Sequence, residues 1–474
     1  MDVAVRVDAS TQIGAGHLMR CLTLANAIHA RSGHVTFLCR ELPDSLAPLI
    51  AAQGHELVRL SDSEAPGARQ FDWLVVDHYQ LDAAWESRAR AVAKRIFVID
   101  DLADRPHDCD VLLDQNLYTD GELRYSGRVP PACRLLLGPR YALLRAEFGR
   151  LRAGVRPRTG KVGRLLVFFG GGDAGNQTTT ALEALSRIDA PRNVDVVIGA
   201  EHPHRGPIEK LCAARGYQLH VQTSRMAELM AAADLAVGAG GSATWERCCL
   251  GLPSLVVSVA ANQDRLVHDG ALAGTVYAPE GVLSSPDDLA RHIRAFMDNP
   301  LLRESMSRKG MEVVDGRGVD RVLPALGLGR VTMRPAVIAD SDNLFVWRNH
   351  PSIRGVSRSQ KPLERAAHER WLGAALSDSS RVLLIGECRG QPVGVVRFDI
   401  QEAVAEVSIY VVPGQERCGF GAELLAAAEA WLGSHRSAVR EVSAEVLAAN
   451  QPSHRLFRGA GYQLESTLYR KRMQ

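Results

Sequence analysis

The sequence predicts an α/β chain: two Rossmann-like domains in tandem, followed by a smaller α+β domain. Three observations carry this expectation. Short apolar runs alternate with helical periods over residues 1–150. The alternation breaks at a basic, Gly/Pro-containing stretch, RLRAGVRPRTGKVG (150–163), and then restarts. A second break, DGRGVDRVLPALGLGR (315–330), leads into a segment whose apolar runs follow one another without helices between them. Strands alternating with helices build a parallel sheet covered on both faces; consecutive strands build an antiparallel one. The expected domains are 1–152, 160–318 and 331–474.

In the first domain, strands are expected at VAVRV (3–7), VTFLC (35–39), WLVVD (73–77), RIFVID (95–100) and VLLD (111–114). Helices over His17–Ser32 and Asp82–Lys94 fill gaps between them. The second domain repeats the scheme with LLVFFGGG (165–172), VDVVIGA (194–200), LHVQT (219–223), LAVGAGG (235–241) and LPSLVVSV (252–259). The third begins with helices over Asp340–Asn349 and Pro362–Ala375. Strands VLLIGEC (382–388), PVGVVRFDI (392–400) and AEVSIYVVP (405–413) follow, then a glycine turn and a helix.

Composition fits this reading. The 474 residues are 46% hydrophobic and 23% charged, enough to bury several cores. A net charge of only +2 gives no bulk attraction to nucleic acid or an anionic membrane. No apolar run reaches bilayer length, and MDVAVRVDAS reads as a charged strand rather than a leader. The expectation is a cytoplasmic chain with neither nucleic-acid nor membrane partners. Nine scattered cysteines without a C-x-x-C pair read as buried small side chains, with no metal expected.

Two glycine turns mark the second domain. In LLVFFGGGDAGNQTTT, Gly170, Gly172 and Gly175 fit G-x-G-x-x-G, with Gly171, Gly172 and Asn176 expected at a ligand. Glycines let the backbone approach a phosphate, and the free N–H groups of a helix start face it. Alone, this turn suits a dinucleotide equally well, with Glu201 as the ribose acid. The second turn, ADLAVGAGGSATWERCC, holds Gly238, Gly240 and Gly241 before a helix capped near Ser242. Glu246 lies one helical turn further, where a carboxylate accepts ribose hydroxyls. Asn262 and Gln263 follow the next strand. Two such turns in one domain suit a nucleotide diphosphate-sugar.

The first domain contributes TQIGAGHLMRCL, in which Gly14 and Gly16 precede His17. An imidazole there suits a general base, because histidine titrates near working pH. The positive end of a helix also disfavours the imidazolium and keeps the ring neutral. Arg20, one turn on, reads equally as a phosphate ligand or a solvated helix arginine. Asp77, His78 and Tyr79 end a strand, where cleft residues of open α/β sheets sit. Asp77 reads as a site residue or as a loop anchor. Asp8 reads as the group that orients His17 or as a turn former. Of Asp100 and Asp101, pleat alternation lets at most one face the cleft. Trp245 and Trp85 read as packing residues.

The second domain resembles the nucleotide-binding half of GT-B glycosyltransferases. The motifs RVDAS.QIG.GH.MRCL.LA, VVDHYQLD..WE, IDDLADRPHDCDVLLDQN, GPRYALLR.EF and VFFGG.DAGN together resemble a narrower family. It is that of the UDP-2,4-diacetamido-2,4,6-trideoxy-β-L-altropyranose hydrolases of pseudaminic acid biosynthesis, over residues 1 to 320. That resemblance implies release of UDP from a UDP-activated amino-dideoxy sugar, with His17 as the base on an attacking water. A single displacement would invert the anomeric centre. Tyr79 is read as binding or orienting an acetamido group.

VSIYVVPGQERCGFGAELL resembles the pyrophosphate loop of the GCN5-related N-acetyltransferases, Q/R-x-x-G-x-G/A. The resemblance implies acetyl-CoA as co-substrate. Its contacts would be Arg417, Cys418, Gly419, Phe420 and Gly421 at the loop, Val411 and Val412 along the pantetheine, and Asn450 beyond the closing strand. Glu416 departs from the pattern, standing where a basic or amide residue is usual. Phe457 stands where many relatives carry a tyrosine acid. Glu406 is read as a base acting through water, or as an edge charge. Together the parts imply a bifunctional enzyme: N-acetylation of a 4-amino UDP-sugar, then removal of UDP. Two other readings are a UDP-sugar-dependent glycosyltransferase and a UDP-sugar sensor with a degenerate acetyltransferase.

Overall fold

The computed structural model describes residues 1–9, 16–61, 69–279, 285–357, 359–416 and 419–466. The chain divides into two compact units, Met1–Val322 and Leu323–Gln474.

The first unit holds two parallel sheets. One contains β1 (Asp2–Val7), β2 (His34–Cys39), β3 (Glu56–Arg59), β4 (Phe71–Asp77), β5 (Ala93–Ile99), β6 (Val111–Asp114) and β7 (Arg134–Leu137). Their order is β3-β2-β1-β4-β5-β6-β7. Helices on both faces bury β1 and β4 almost throughout, which is why their sequences run apolar rather than alternating. Arg6 breaks the run in β1. It is tolerated because its guanidinium forks onto Asp8 at 2.6 and 2.8 Å. Strand order reverses between β1 and β4, and such a switch point opens a crevice at the strands' carboxyl ends.

The second sheet contains β8 (Arg164–Phe168), β9 (Asn193–Ile198), β10 (Gln218–Val221), β11 (Leu235–Ala239) and β12 (Ser254–Val257), in the order β10-β9-β8-β11-β12. Its switch point lies between β8 and β11, so both glycine turns emerge at one edge. The chain crosses between these lobes. Ala142, Leu144 and Phe148 pack in the second lobe's core, and the helix Gly318–Val322 returns to residues 139–142. Trp245 donates from Nε1 to Asn116 across the lobes at 2.9 Å, and Thr119 N–H donates to Asp269 at 3.2 Å.

The second unit is one mixed sheet in the order β13 (Thr332–Pro335), β14 (Arg381–Cys388), β15 (Gln391–Gln401), β16 (Val404–Val411) and β17 (Glu441–Ser443). All pairs are antiparallel except β16 with β17. One face packs on Leu424, Leu425 and Ala428 of the helix Phe420–His435; the other packs on Leu344 and Leu372. The fold class is the expected one. The short strands β3, β7 and β13 are additions to the strands read from sequence.

Candidate active site

Helix Gly16–His29 starts at the β1 edge of the first switch point, so His17 falls in its first turn. Gly14 lies outside the described residues. His17 Nδ1 stands 2.5 Å from Asp77 Oδ1 at the end of β4. Arg20, one turn along the same helix face, clamps that carboxylate from Nε and Nη2 at 2.7 Å each. Its Nη1 reaches Asp101 at 3.1 Å. Burial pushes the Asp77 carboxyl up, but Arg20 and His17 outweigh it and hold the group ionised well below the usual range. A carboxylate accepting at Nδ1 selects the Nδ1–H tautomer and leaves the Nε2 lone pair as the basic site. His17 is 6% exposed, and its ring meets Tyr79 edge-on at 4.5 Å. The Tyr79 hydroxyl accepts from Asn262 Nδ2 of the second lobe at 3.0 Å. Burial, followed by the Asp101 charge, pushes this phenol well above its ordinary value.

Two expectations change here. Asp8 does not orient His17: it is held by Arg6, by His78 Nε2 at 3.1 Å and by the N–H groups of Arg40 and Glu41. Asp77 takes that place. Arg20 is neither solvated nor turned to a phosphate, because it is 7% exposed and engaged by two carboxylates. Asp101 reaches Arg20, whereas Asp100 turns inward to Ala103 N–H and the Tyr125 hydroxyl.

The two glycine turns of the second lobe differ. After β8, Asp173 accepts from Gln177 N–H at 2.9 Å and Thr178 N–H at 2.8 Å. These helix-start donors, expected to be free for a phosphate, are satisfied by the chain's own carboxylate. Gly171, Gly172 and Asn176 therefore sit on a filled turn. Asn176 is left-handed at φ 52°, and its side-chain oxygen accepts from Thr179. After β11, the turn is open in a different sense. Gly241 takes φ +97°, and Ser242 makes no side-chain capping bond, contrary to expectation. Its hydroxyl instead faces the first lobe: a Cβ built on Gly16 would lie 3.7 Å from Ser242 Oγ. Gly240 is pressed against Val267 and Gln263, whose Oε1 accepts from Val259 N–H at 3.3 Å. Glu246 sits 3.6 Å from Arg145, and burial pushes its carboxyl up. Trp245 and Trp85 are buried packing residues. The facing edges thus unite Gly16, His17, Asp77 and Tyr79 with Ser242 and Asn262, flanked by Gly240, Gly241, Gln263 and Glu246.

In the second unit, β16 pairs with β15 along its length but with β17 only from Val404 to Glu406. The strand is therefore released from β17 before Val411. Val412 is engaged within the chain: its N–H donates to Val393 and its carbonyl accepts from Gln415. Arg417 and Cys418 lie outside the described residues. Gly419 is left-handed at φ +82° and opens the helix Phe420–His435, with Gly421 against Leu456. The Phe420 ring is in the core, which leaves its backbone for a ligand. Asn450 caps the helix Gln451–Gly459 by accepting from Ser453 N–H at 3.2 Å. Glu416 closes the preceding turn by accepting from Gly414 N–H at 2.8 Å, a local reason for its departure from the loop pattern. Glu406 lies opposite Asp399, on the sheet face away from Ala405 and Val407. Phe457 packs in the core at 5.0 Å from Tyr462, whose hydroxyl donates to Glu429. Tyr410, which sequence reading passed over, is pushed well up by burial against the pull of Arg348 and Arg397.

Among the described residues no helix is long and apolar enough to cross a membrane, and no cluster of three His, Cys, Asp or Glu side chains is placed to hold a metal ion.

Two tandem Rossmann lobes with facing carboxyl edges define a GT-B-like protein, and the mixed sheet with its glycine loop defines an acetyltransferase fold. Residues 344–462 match the Acetyltransferase (GNAT) family. The crystal structure of Acinetobacter baumannii MurG covers 69% of this chain and 99% of its own, with a TM-score of 0.50 at 14% identity, a likeness of fold. The chain is 28% identical over 240 residues to the UDP-2,4-diacetamido-2,4,6-trideoxy-β-L-altropyranose hydrolase of Campylobacter jejuni, covering 48% of this chain and 81% of that one. It is 25% identical over 337 residues to the spore coat polysaccharide biosynthesis protein SpsG of Bacillus subtilis, covering 69% and 98%. The chain is thus GT-B-like in fold and carries a C-terminal domain that matches the GNAT acetyltransferase family.

Proposed function

We propose that residues 1–152 and 160–318 form a UDP-sugar hydrolase, and that residues 331–474 form an acetyl-CoA-dependent N-acetyltransferase acting on the amino-sugar precursor. The observation that carries the first part is the His17–Asp77–Arg20 arrangement at a switch-point crevice. The substrate class rests on homology to the Campylobacter jejuni hydrolase, and the named sugar is UDP-2,4-diacetamido-2,4,6-trideoxy-β-L-altropyranose.

In this reading, water attacks the anomeric carbon from the face opposite UDP. Its oxygen bonds to that carbon, its proton passes to His17 Nε2, and the bond from the anomeric carbon to the diphosphate oxygen breaks. Asp77 stabilises the imidazolium that forms, and Arg20 keeps Asp77 charged and in place. Tyr79 and Asn262 orient the sugar or the water. Gly16 lines the approach to the base. Backbone N–H groups of Gly241 and Ser242 receive the charge leaving on UDP, while Gly240 N–H is held by the Val257 carbonyl, so no strong acid is required. Glu246 and Gln263 serve the nucleoside. Gly171, Gly172 and Asn176 act through the shape of the neighbouring turn, since the helix amides there are occupied.

In the acetyltransferase, the segment of β16 near Val411 and the loop through Gly421 are the proposed acetyl-CoA contacts, with Asn450 beside them. Glu406 is the proposed base for the acceptor amine, which attacks the thioester carbonyl and expels coenzyme A as its thiol.

Two assays test the reading. UDP release from the UDP-diacetamido sugar with no acceptor present is expected at a steady catalytic rate; release only after adding an acceptor would identify a transferase instead. Coenzyme A release is expected to need the 4-amino UDP-sugar together with acetyl-CoA. Its absence would remove the second activity.

A further inference from the structure

Arg247 lies immediately behind the second glycine turn and is 1% exposed. Its Nη2 donates to the carbonyl of Ala239, the residue before Gly240, at 2.8 Å, and to Thr244 Oγ1 at 3.2 Å. Its Nε is buried without a hydrogen-bond partner. Gly238 packs against this guanidinium and, more tightly, against β8. A Cβ there would come within 3.1 Å of Arg247 Nη1, besides meeting the Phe168 carbonyl at 2.1 Å. Gly238, still inside β11, thus makes room for the β8 backbone and for a guanidinium rather than for a ligand.

The contrast with the first lobe is chemical. Arg6 and Arg20 are equally buried, but each forks onto a carboxylate. Arg247 has one carbonyl and one hydroxyl in hydrogen-bond contact. The carboxylate whose charge bears on it, Glu246, is shared with Arg145. Burial of a cation without a paired anion is costly, and burial pushes this guanidinium down to about 10. A phosphate on the other side of the turn would supply the missing charge.

We propose that Arg247 is an electrostatic positioning residue for the diphosphate of the bound nucleotide, acting through the Ala239–Ser242 turn without touching the ligand. The inference rests on the UDP-sugar reading above and adds to it a residue that makes the pocket select charge. In a poorly screened interior a nearby unit charge shifts anion affinity by roughly tenfold or more.

The test is calorimetric binding of UDP and of uridine to the full-length chain and to Arg247→Met. UDP affinity is expected to fall about tenfold while uridine affinity stays within twofold, the signature of a lost charge. An unchanged ratio of UDP to uridine affinity would overturn the inference and leave the hydrolase reading intact. Failure of the unchanged protein to bind UDP would remove both. If Arg247→Met does not fold, Arg247→Lys decides: retained charge with altered hydrogen bonding must keep the UDP-to-uridine ratio within about threefold, and a tenfold loss would contradict the proposal.

Discussion

The two glycine turns of the second lobe look alike in sequence and differ in what they offer a ligand. Each follows a parallel strand, each opens a helix, and both lie beside the same switch point. In the first, Asp173 occupies the helix-start amides. In the second, no side chain caps the helix, and Arg247 is buried behind the turn. Glycines make close approach possible, but the flanking side chain decides whether a carboxylate of the protein or an anion from solution is received.

The largest effect on nucleotide affinity is expected from making the second turn resemble the first. Ser242→Asp supplies a carboxylate that caps its own helix and repels a diphosphate. UDP affinity should fall about a hundredfold, as like charges at a binding face dictate. Thermal unfolding should show a gain of up to about 1 kcal/mol. Unchanged UDP affinity would mean that the nucleotide does not use this turn.

A second pair of buried acids extends the contrast into the first lobe. Arg20 and His17 hold Asp77 ionised, whereas burial raises Asp114, at the end of β6, to about 7. The folded protein therefore binds the Asp114 proton more tightly than the unfolded chain does. The stability this gives is complete below about pH 4 and is lost as pH rises to about 7. Asp77 acts in the opposite sense, stabilising above its unfolded value and losing that contribution in acid. Denaturant unfolding between pH 5 and pH 8 should show a decline on the order of 2 kcal/mol that Asp114→Asn flattens. An equal decline in the variant would assign the slope to other groups.

The smallest effect is expected at the first turn. Asp173→Ala should cost about 1 kcal/mol of stability through the lost cap, with UDP affinity unchanged within twofold. A large loss of UDP affinity would show that this turn, too, holds the nucleotide.

Much of this was legible in the sequence. The central strands were readable because parallel sheets bury both faces and demand long apolar runs, as in FDWLVVD. The edge strands β3 and β13 were not, because ELVR and TMRP are largely exposed and carry no such pattern. His17, Asp77, Tyr79 and Asn262 were each singled out, yet their pairings were obscure because they come from distant segments. One signal was available for Asp8: Arg6 lies two residues earlier, and such residues share a strand face. Arg20 similarly shares a helix face with His17. That Asp173 fills its own turn, and that Arg247 turns inward beneath its neighbour, depends on rotamers and burial that spacing does not encode.

Hydrolysis as proposed depends on His17 removing a proton from water, and anomer-resolved NMR during turnover tests this most directly. The UDP-diacetamido sugar would be followed with the unchanged protein and with His17→Ala. The first product should be the inverted anomer, and the variant should form it about a thousandfold more slowly. Retention at the anomeric carbon, or an undiminished rate in His17→Ala, would contradict the account.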